Sequence, residues 1–112
     1  METSAVKCPA EFTLAMISGR WKIPIVFHLL AGRKRFSDLA RALTGVSQKM
    51  LTQQLREMER NGLVMRQVYA QVPPKVEYSL TALGASLRPV VEAMCHWGET
   101  HGVQPEVWEA IL

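Results

Sequence analysis

A chain of 112 residues, 48% hydrophobic and 21% charged with a formal net charge of +3, has the length of one domain over 1–112, small enough that further burial in a dimer would help it. No apolar run approaches the roughly 18 residues of a spanning helix, and Met1-Glu-Thr-Ser-Ala-Val-Lys7 lacks a signal-peptide core, so a globular cytoplasmic protein with no membrane partner is expected. Two cysteines, Cys8 and Cys95, without CxxC spacing, exclude a disulfide-stapled scaffold and predict reduced thiols.

In chain order, residues 10–17 predict a short amphipathic helix that ends near Ser18-Gly19. A second helix follows, safest over Ile25–Leu30, because Pro24 is tolerated in a first turn and disruptive deeper in; Gly32 ends it. Arg33-Lys-Arg35 reads as a basic connector or a short strand, and Ser37 as the cap of a third helix through Asp38, Leu39, Ala40 and Leu43. Thr44-Gly45-Val46 is a tight turn into a fourth helix at Ser47, which makes a helix-turn-helix over about 37–60. Asn61-Gly62 stops that helix, and the period then changes to two. Val64–Tyr69 and Val76–Leu80 predict a hairpin over about 64–80 with a stiff, proline-bearing tip at Pro73-Pro74, in the position of a wing. Thr81 caps a last long helix, kinked by Pro89, in which Leu83, Leu87, Val90, Val91, Met94 and Trp97 form an apolar stripe. With Trp108 in a terminal helix opened by Pro105, this is more apolar surface than one small core readily covers. The excess predicts a homodimer interface on helices over about 82–112, to which the helix over about 10–17 contributes; completion of the subunit's own core is the plainer alternative.

The helix at Ser47 carries the functional argument. Val46 and Leu51 form a hydrophobic staple around the Ser47 cap, so its start is specified locally. Leu51, Leu55 and Met58 mark a buried stripe, while Lys49, Thr52, Gln53, Arg56 and Arg60 fall on the opposite side, a stripe read as free of carboxylates. Residues 20–75 carry 11 lysines and arginines against 3 acidic residues, whereas residues 76–112 carry 1 against 5. Positive charge segregated in this way is the footprint of a polyanion-binding surface. The predicted DNA-contacting set is Ser47, Gln48, Lys49, Thr52, Gln53, Arg56 and Arg60 on the helix, Arg35 in the connector, and Arg66 and Lys75 on the wing. The fold class is mainly α with a small β-hairpin (α+β): a winged helix-turn-helix flanked by N- and C-terminal dimerisation helices.

Several segments, in order, carry a resemblance that spans Cys8 to about Gly98. They are Cys8-Pro9, Gly19-Arg-Trp-Lys22, Gly32 through Arg35-Phe-Ser-Asp-Leu39, Gly45-Val-Ser-Gln-Lys-Met-Leu-Thr52, Leu55-Arg-Glu-Met-Glu59, Asn61-Gly-Leu63, and Val72-Pro-Pro-Lys-Val-Glu-Tyr-Ser-Leu-Thr81 with Gly84. Together they resemble the HxlR family of bacterial winged-helix transcription regulators, relatives of the MarR group. Ser18-Gly-Arg-Trp21 departs from the family's usual second glycine and lysine, and Pro24 is a second departure. The resemblance implies a DNA-binding dimer whose terminal helices pack together, with recognition helices in successive major grooves and wings beside them. It also implies that a cysteine at position 8 can sense oxidants or electrophiles, and Lys7 beside Cys8 favours a thiolate. A packed thiol at the dimer seam and a regulator that answers a small-molecule effector remain alternatives.

Other chemistries find little support. Cys95, His96, Glu99 and His101 cluster on one helix, but neither CxxC nor HxxxH spacing occurs, so no metal is expected. His28 reads as a packed or capping residue, not a ligand. No nucleophile elbow, phosphate-binding glycine loop or HExxH is present, which predicts a protein that is not an enzyme and needs no cofactor. The competing class is a winged-helix module whose basic helix meets an acidic protein partner.

Overall fold

The computed structural model describes residues 8–102. Helix α1 (Pro9–Ile17) leads through Ser18-Gly19 to α2 (Lys22–Leu30), then a two-residue strand β1 (Lys34–Arg35), α3 (Phe36–Ala42) and α4 (Gln48–Arg60). Strands β2 (Val64–Tyr69) and β3 (Lys75–Leu80) form the hairpin, followed by a single turn α5 (Ala82–Ala85) and by α6 (Arg88–His101).

Pro24 is the third residue of α2, where its missing N–H would have had no intrahelical acceptor, so it starts the helix without breaking it. Ile25, Val26 and Leu29 turn one face of α2 into the floor of the core. Leu39 and Leu43 from α3, Leu51, Leu55 and Met58 from α4, and Leu63, Val64, Tyr78 and Val91 complete that core.

The third helix begins at Phe36, one residue ahead of the predicted Ser37 cap. Asp38, at the third helical position, reaches back and accepts the Arg35 N–H at 3.1 Å, so the carboxylate closes this terminus. Ser47 does cap α4, accepting the Met50 N–H at 3.0 Å, and Val46 packs against the core cluster to which the fully buried Leu51 belongs. At the other end Leu63 N–H bonds to the Met58 carbonyl at 2.8 Å and Gly62 N–H to Glu59 at 3.0 Å. This paired closure needs a positive φ, which Gly62 adopts at 78°.

The sheet is larger than the expected hairpin: β1 pairs antiparallel with β3 on the edge opposite β2, giving the order β1-β3-β2. Val64 pairs with Leu80 and Tyr69 with Lys75, so the ladder runs unbroken to the turn. Val64 and Tyr78 sit in the core at the base, while Val68 and Val72 near the tip are exposed. The hairpin is thus anchored at one end and projects at the other.

The predicted long helix after Thr81 is two elements. Thr81 caps only α5, accepting the Gly84 N–H at 3.0 Å, and its hydroxyl donates to the Gly62 carbonyl at 2.5 Å. A Cβ on Gly84 would strike the Leu63 carbonyl oxygen, so α5 lies directly on the chain that leaves α4. Pro89 does not kink a helix but opens α6 in its first turn. Val91 is 1% exposed and Leu87 packs against the same cluster, so both belong to the subunit's own core and not to a free dimer face, because this stretch must seal α2. Leu83, Met94 and Trp97 are exposed, Trp97 at 65%, and Val90 is half-buried. Trp108 lies outside the described residues. Among the described residues no helix is long and apolar enough to cross a membrane.

Candidate nucleic-acid interface

Two open grooves flank the exposed ridge of α4. The inner one, about 620 Å³, separates the helix from the wing and brings Arg35, Gln48, Thr52, Arg56, Arg66 and Lys75 together under Pro73 and Pro74. The outer one, about 660 Å³, is lined by Gln48, Lys49, Thr52, Gln53, Arg56 and Arg60. Gln48, Thr52 and Arg56 line both and therefore form the crest. Every predicted contact residue except Ser47 thus lines one of the grooves. The Ser47 hydroxyl oxygen is engaged by the Met50 N–H and its role is to cap the helix.

The expectation of a stripe without carboxylates is corrected by the structure. Glu59 lines the inner groove and Glu57 the outer one. A helix advances about 100° per residue, so side chains three or four positions from Arg56 and Arg60 cannot leave the same surface.

The basic block is also less available than its count implies. Lys22 is buried, 7% exposed, and its Nζ donates to Glu57 Oε1 at 2.8 Å and to Gln54 Oε1 at 3.0 Å. Arg41 pairs with Asp38 within α3 at 2.5 Å, and Arg33 lies 3.5 Å from Glu77. Among the described residues, the cations of this block that line the two grooves without an ion pair are Lys49, Arg56 and Arg60 on α4 with Arg35 and Arg66, while Arg20 stacks on Trp21 and Lys34 lines a separate groove.

Lys75 is held in place. Its ammonium lies 4.4 Å from the centre of the Tyr69 ring, the residue opposite it in the ladder, and 3.6 Å from Glu77 Oε2. Burial pushes the Glu77 carboxyl up, but the Tyr69 hydroxyl, Lys75 and Arg33 outweigh it and leave the group below its usual value. Glu57 is likewise lowered, first by the hydrogen bond from Lys22 and its charge. Sequence reasoning missed Lys22, Glu57, Tyr69 and Glu77. The Tyr69–Lys75 pair could have been read from the hairpin register, whereas Lys22 and Glu57 are 35 positions apart and carry no local signal.

Cys8 is exposed at the start of α1, where its carbonyl accepts the Glu11 N–H at 2.9 Å. Cys95 is exposed on α6, in a separate groove with Phe27, His28, Lys34 and His96. Among the described residues no three His, Cys, Asp or Glu side chains converge as a metal-holding group.

A family model described as HxlR-like helix-turn-helix covers residues 16–106. The chain belongs to this family. The HTH-type transcriptional regulator YybR of Bacillus subtilis (strain 168) is 52% identical over 94 residues, 84% of this chain and 75% of YybR. A structure of the redox regulator HypR in its oxidized form superposes with a TM-score of 0.81 at 50% identity, covering 87% of this chain and all of that one. The reduced form of the transcriptional regulator YodB from B. subtilis superposes with a TM-score of 0.73 at 36% identity, covering 86% and 95%. This HxlR-like protein is accordingly a winged helix-turn-helix transcriptional regulator.

Proposed function

We propose that the protein, one domain over 1–112, acts in the cytoplasm as a homodimer on an inverted-repeat operator. Each α4 enters a major groove and each wing lies along the adjacent backbone. The observation that carries this reading is the convergence of Arg35, Gln48, Thr52, Arg56, Arg66 and Lys75 on one groove. Planar and amide donors on the crest suit base edges, and the rim cations suit phosphates. Exposed Trp97, Met94 and Leu83, with Phe12 and Leu14 of α1, supply the apolar surface of the dimer. Two helices related by a two-fold axis require half-sites about 34–36 Å apart. The signal in this proposal is an oxidant or electrophile acting on the exposed Cys8 thiol; the similar protein HypR is a redox regulator, which supports the reading. The alternative is a small-molecule effector, for which the groove of about 430 Å³ between α2 and α6 has an apolar floor.

The test is fluorescence anisotropy with operator and random duplexes. Affinity should fall on the order of 10³-fold or more between about 50 and 200 mM salt if six or more phosphates are neutralised. Diamide should change operator affinity of the wild type and leave Cys8→Ser unaffected. Salt-independent binding would sink the DNA reading, and equal responses of both proteins to diamide would remove Cys8 as the sensor.

A further inference from the structure

Glu57 presents a chemical puzzle, since it is a carboxylate in a groove that is otherwise built for an anion. Its partners explain its presence. The Lys22 ammonium reaches from the start of α2 to Glu57 Oε1 at 2.8 Å and Gln54 Oε1 at 3.0 Å. Both acceptors are on α4 and three positions apart, so one buried cation grips two points of the recognition helix and sets its roll against α2. Lys22 can take no other place without leaving a charge unpaired in the interior.

Gln53 precedes Glu57 by four positions and lines the same groove, so the two side chains are neighbours. A glutamine amide has a donor end and an acceptor end, and a carboxylate can only accept. Glu57 therefore draws the Gln53 NH₂ group toward itself, and Gln53 is among the influences that lower the Glu57 carboxyl. With one N–H on Glu57, Gln53 still offers its second N–H and its carbonyl oxygen to the groove. That pair matches adenine, which donates from N6 and accepts at N7; guanine presents two acceptors, N7 and O6, and would require both N–H groups, one of which Glu57 holds.

We propose that Lys22 is a positioning residue for base readout: anchored in the core, it fixes Glu57, and Glu57 orients the Gln53 amide to read adenine in preference to guanine. The inference rests on the reading of α4 as the base-contacting helix.

The experiment is enrichment of bound sequences from a randomised duplex library by the full chain, as wild type, Gln53→Ala, Lys22→Met, Glu57→Ala and the double variant Lys22→Met/Gln53→Ala. The base position that becomes degenerate in Gln53→Ala should be an adenine in the wild-type site. At that position Lys22→Met and Glu57→Ala should each lower the enrichment of adenine over guanine roughly fivefold or more. Other positions should stay within about twofold, and the double variant should match Gln53→Ala, as expected of residues that act through one contact. Circular dichroism establishes which variants fold. If Lys22→Met does not, Glu57→Ala, at a half-exposed carboxylate, supplies the same comparison. An unchanged adenine preference in a folded variant, a uniform loss at every position, or a base other than adenine at the Gln53 position would overturn the relay. Failure of the wild type to enrich any sequence is a different outcome, one that overturns base reading by α4 and the relay with it.

Discussion

Helices α4 and α6 have 13 and 14 residues and both carry apolar side chains at helical spacing, yet their fates differ. The first buries Leu51, Leu55 and Met58 within the subunit; the second buries Val91 alone and leaves Met94 and Trp97 to solvent. Helix α1 repeats the second pattern, with Ile17 buried and Phe12 and Leu14 exposed. The winged-helix head is therefore finished inside one chain, while the terminal helices keep apolar surface that the proposed dimer would cover. Apolar spacing alone does not separate these cases. The opposite face does, since α4 backs its stripe with charged and amide side chains, whereas α6 spreads apolar groups around more than one side.

The largest effect should come from the finished region. Leu55→Ala empties a site that is 1% exposed and should cost about 2–5 kcal/mol in urea unfolding, by the same amount at low and high protein concentration. Trp97→Ala should invert that result. Dimerisation measured by sedimentation should weaken by about 2 kcal/mol for each copy of the residue, which a symmetric interface counts twice, with the dilute subunit still folded. If Trp97→Ala instead unfolded the dilute chain, the terminal helices would belong to the core and the contrast would fail.

A smaller effect divides the head itself. Arg56→Ala on the crest should cost roughly 1–3 kcal/mol on the operator and relax sequence preference, whereas Lys75→Ala, on the rim, should weaken operator and random DNA alike. Competition binding with both duplexes separates them, and an unaffected operator affinity in Arg56→Ala would move base reading to another surface.

The smallest effect concerns acid. Glu57 and Glu77 both titrate below the ordinary value of 4.5 in the folded chain. A depressed folded value means that their contribution is present in full above the unfolded pKa and is lost as pH falls through the lowered ones. Stability should thus be level from neutral pH to about 5 and decline below about 4.5, and Glu57→Gln should flatten that decline. An identical acid limb in Glu57→Gln would show that the Lys22 pair contributes nothing to stability.

Much of the head was legible in advance. The Ser47 cap, the Gly62 stop and the switch to period two are signals confined to a few neighbouring residues, and each appears where the sequence implies it. The misreadings have physical reasons too. Asp38 displaced Ser37 because a carboxylate at the third helical position can close a terminus from inside. The break between α5 and α6 was hidden because the apolar stripe continues across Ser86–Leu87, where α5 has ended and α6 has not begun. Strand β1 is two residues long, too short to display a period, and exists because β3 offers it an edge.

By itself the sequence determined the local grammar of this regulator: helix starts and stops, the hairpin, the apolar faces and the concentration of basic residues in the middle of the chain. These depend on interactions within about one helical turn or one strand pair, which residue order specifies directly. Tertiary structure alone decided which charges face outward and which are consumed within the fold. The pairing of Lys22 with Glu57, the seating of Lys75 between Tyr69 and Glu77, and the assignment of Val91 to the core all depend on packing between separate elements. Burial makes an unpaired charge costly, so the fold selects partners by proximity in space, a quantity that spacing along the chain does not encode.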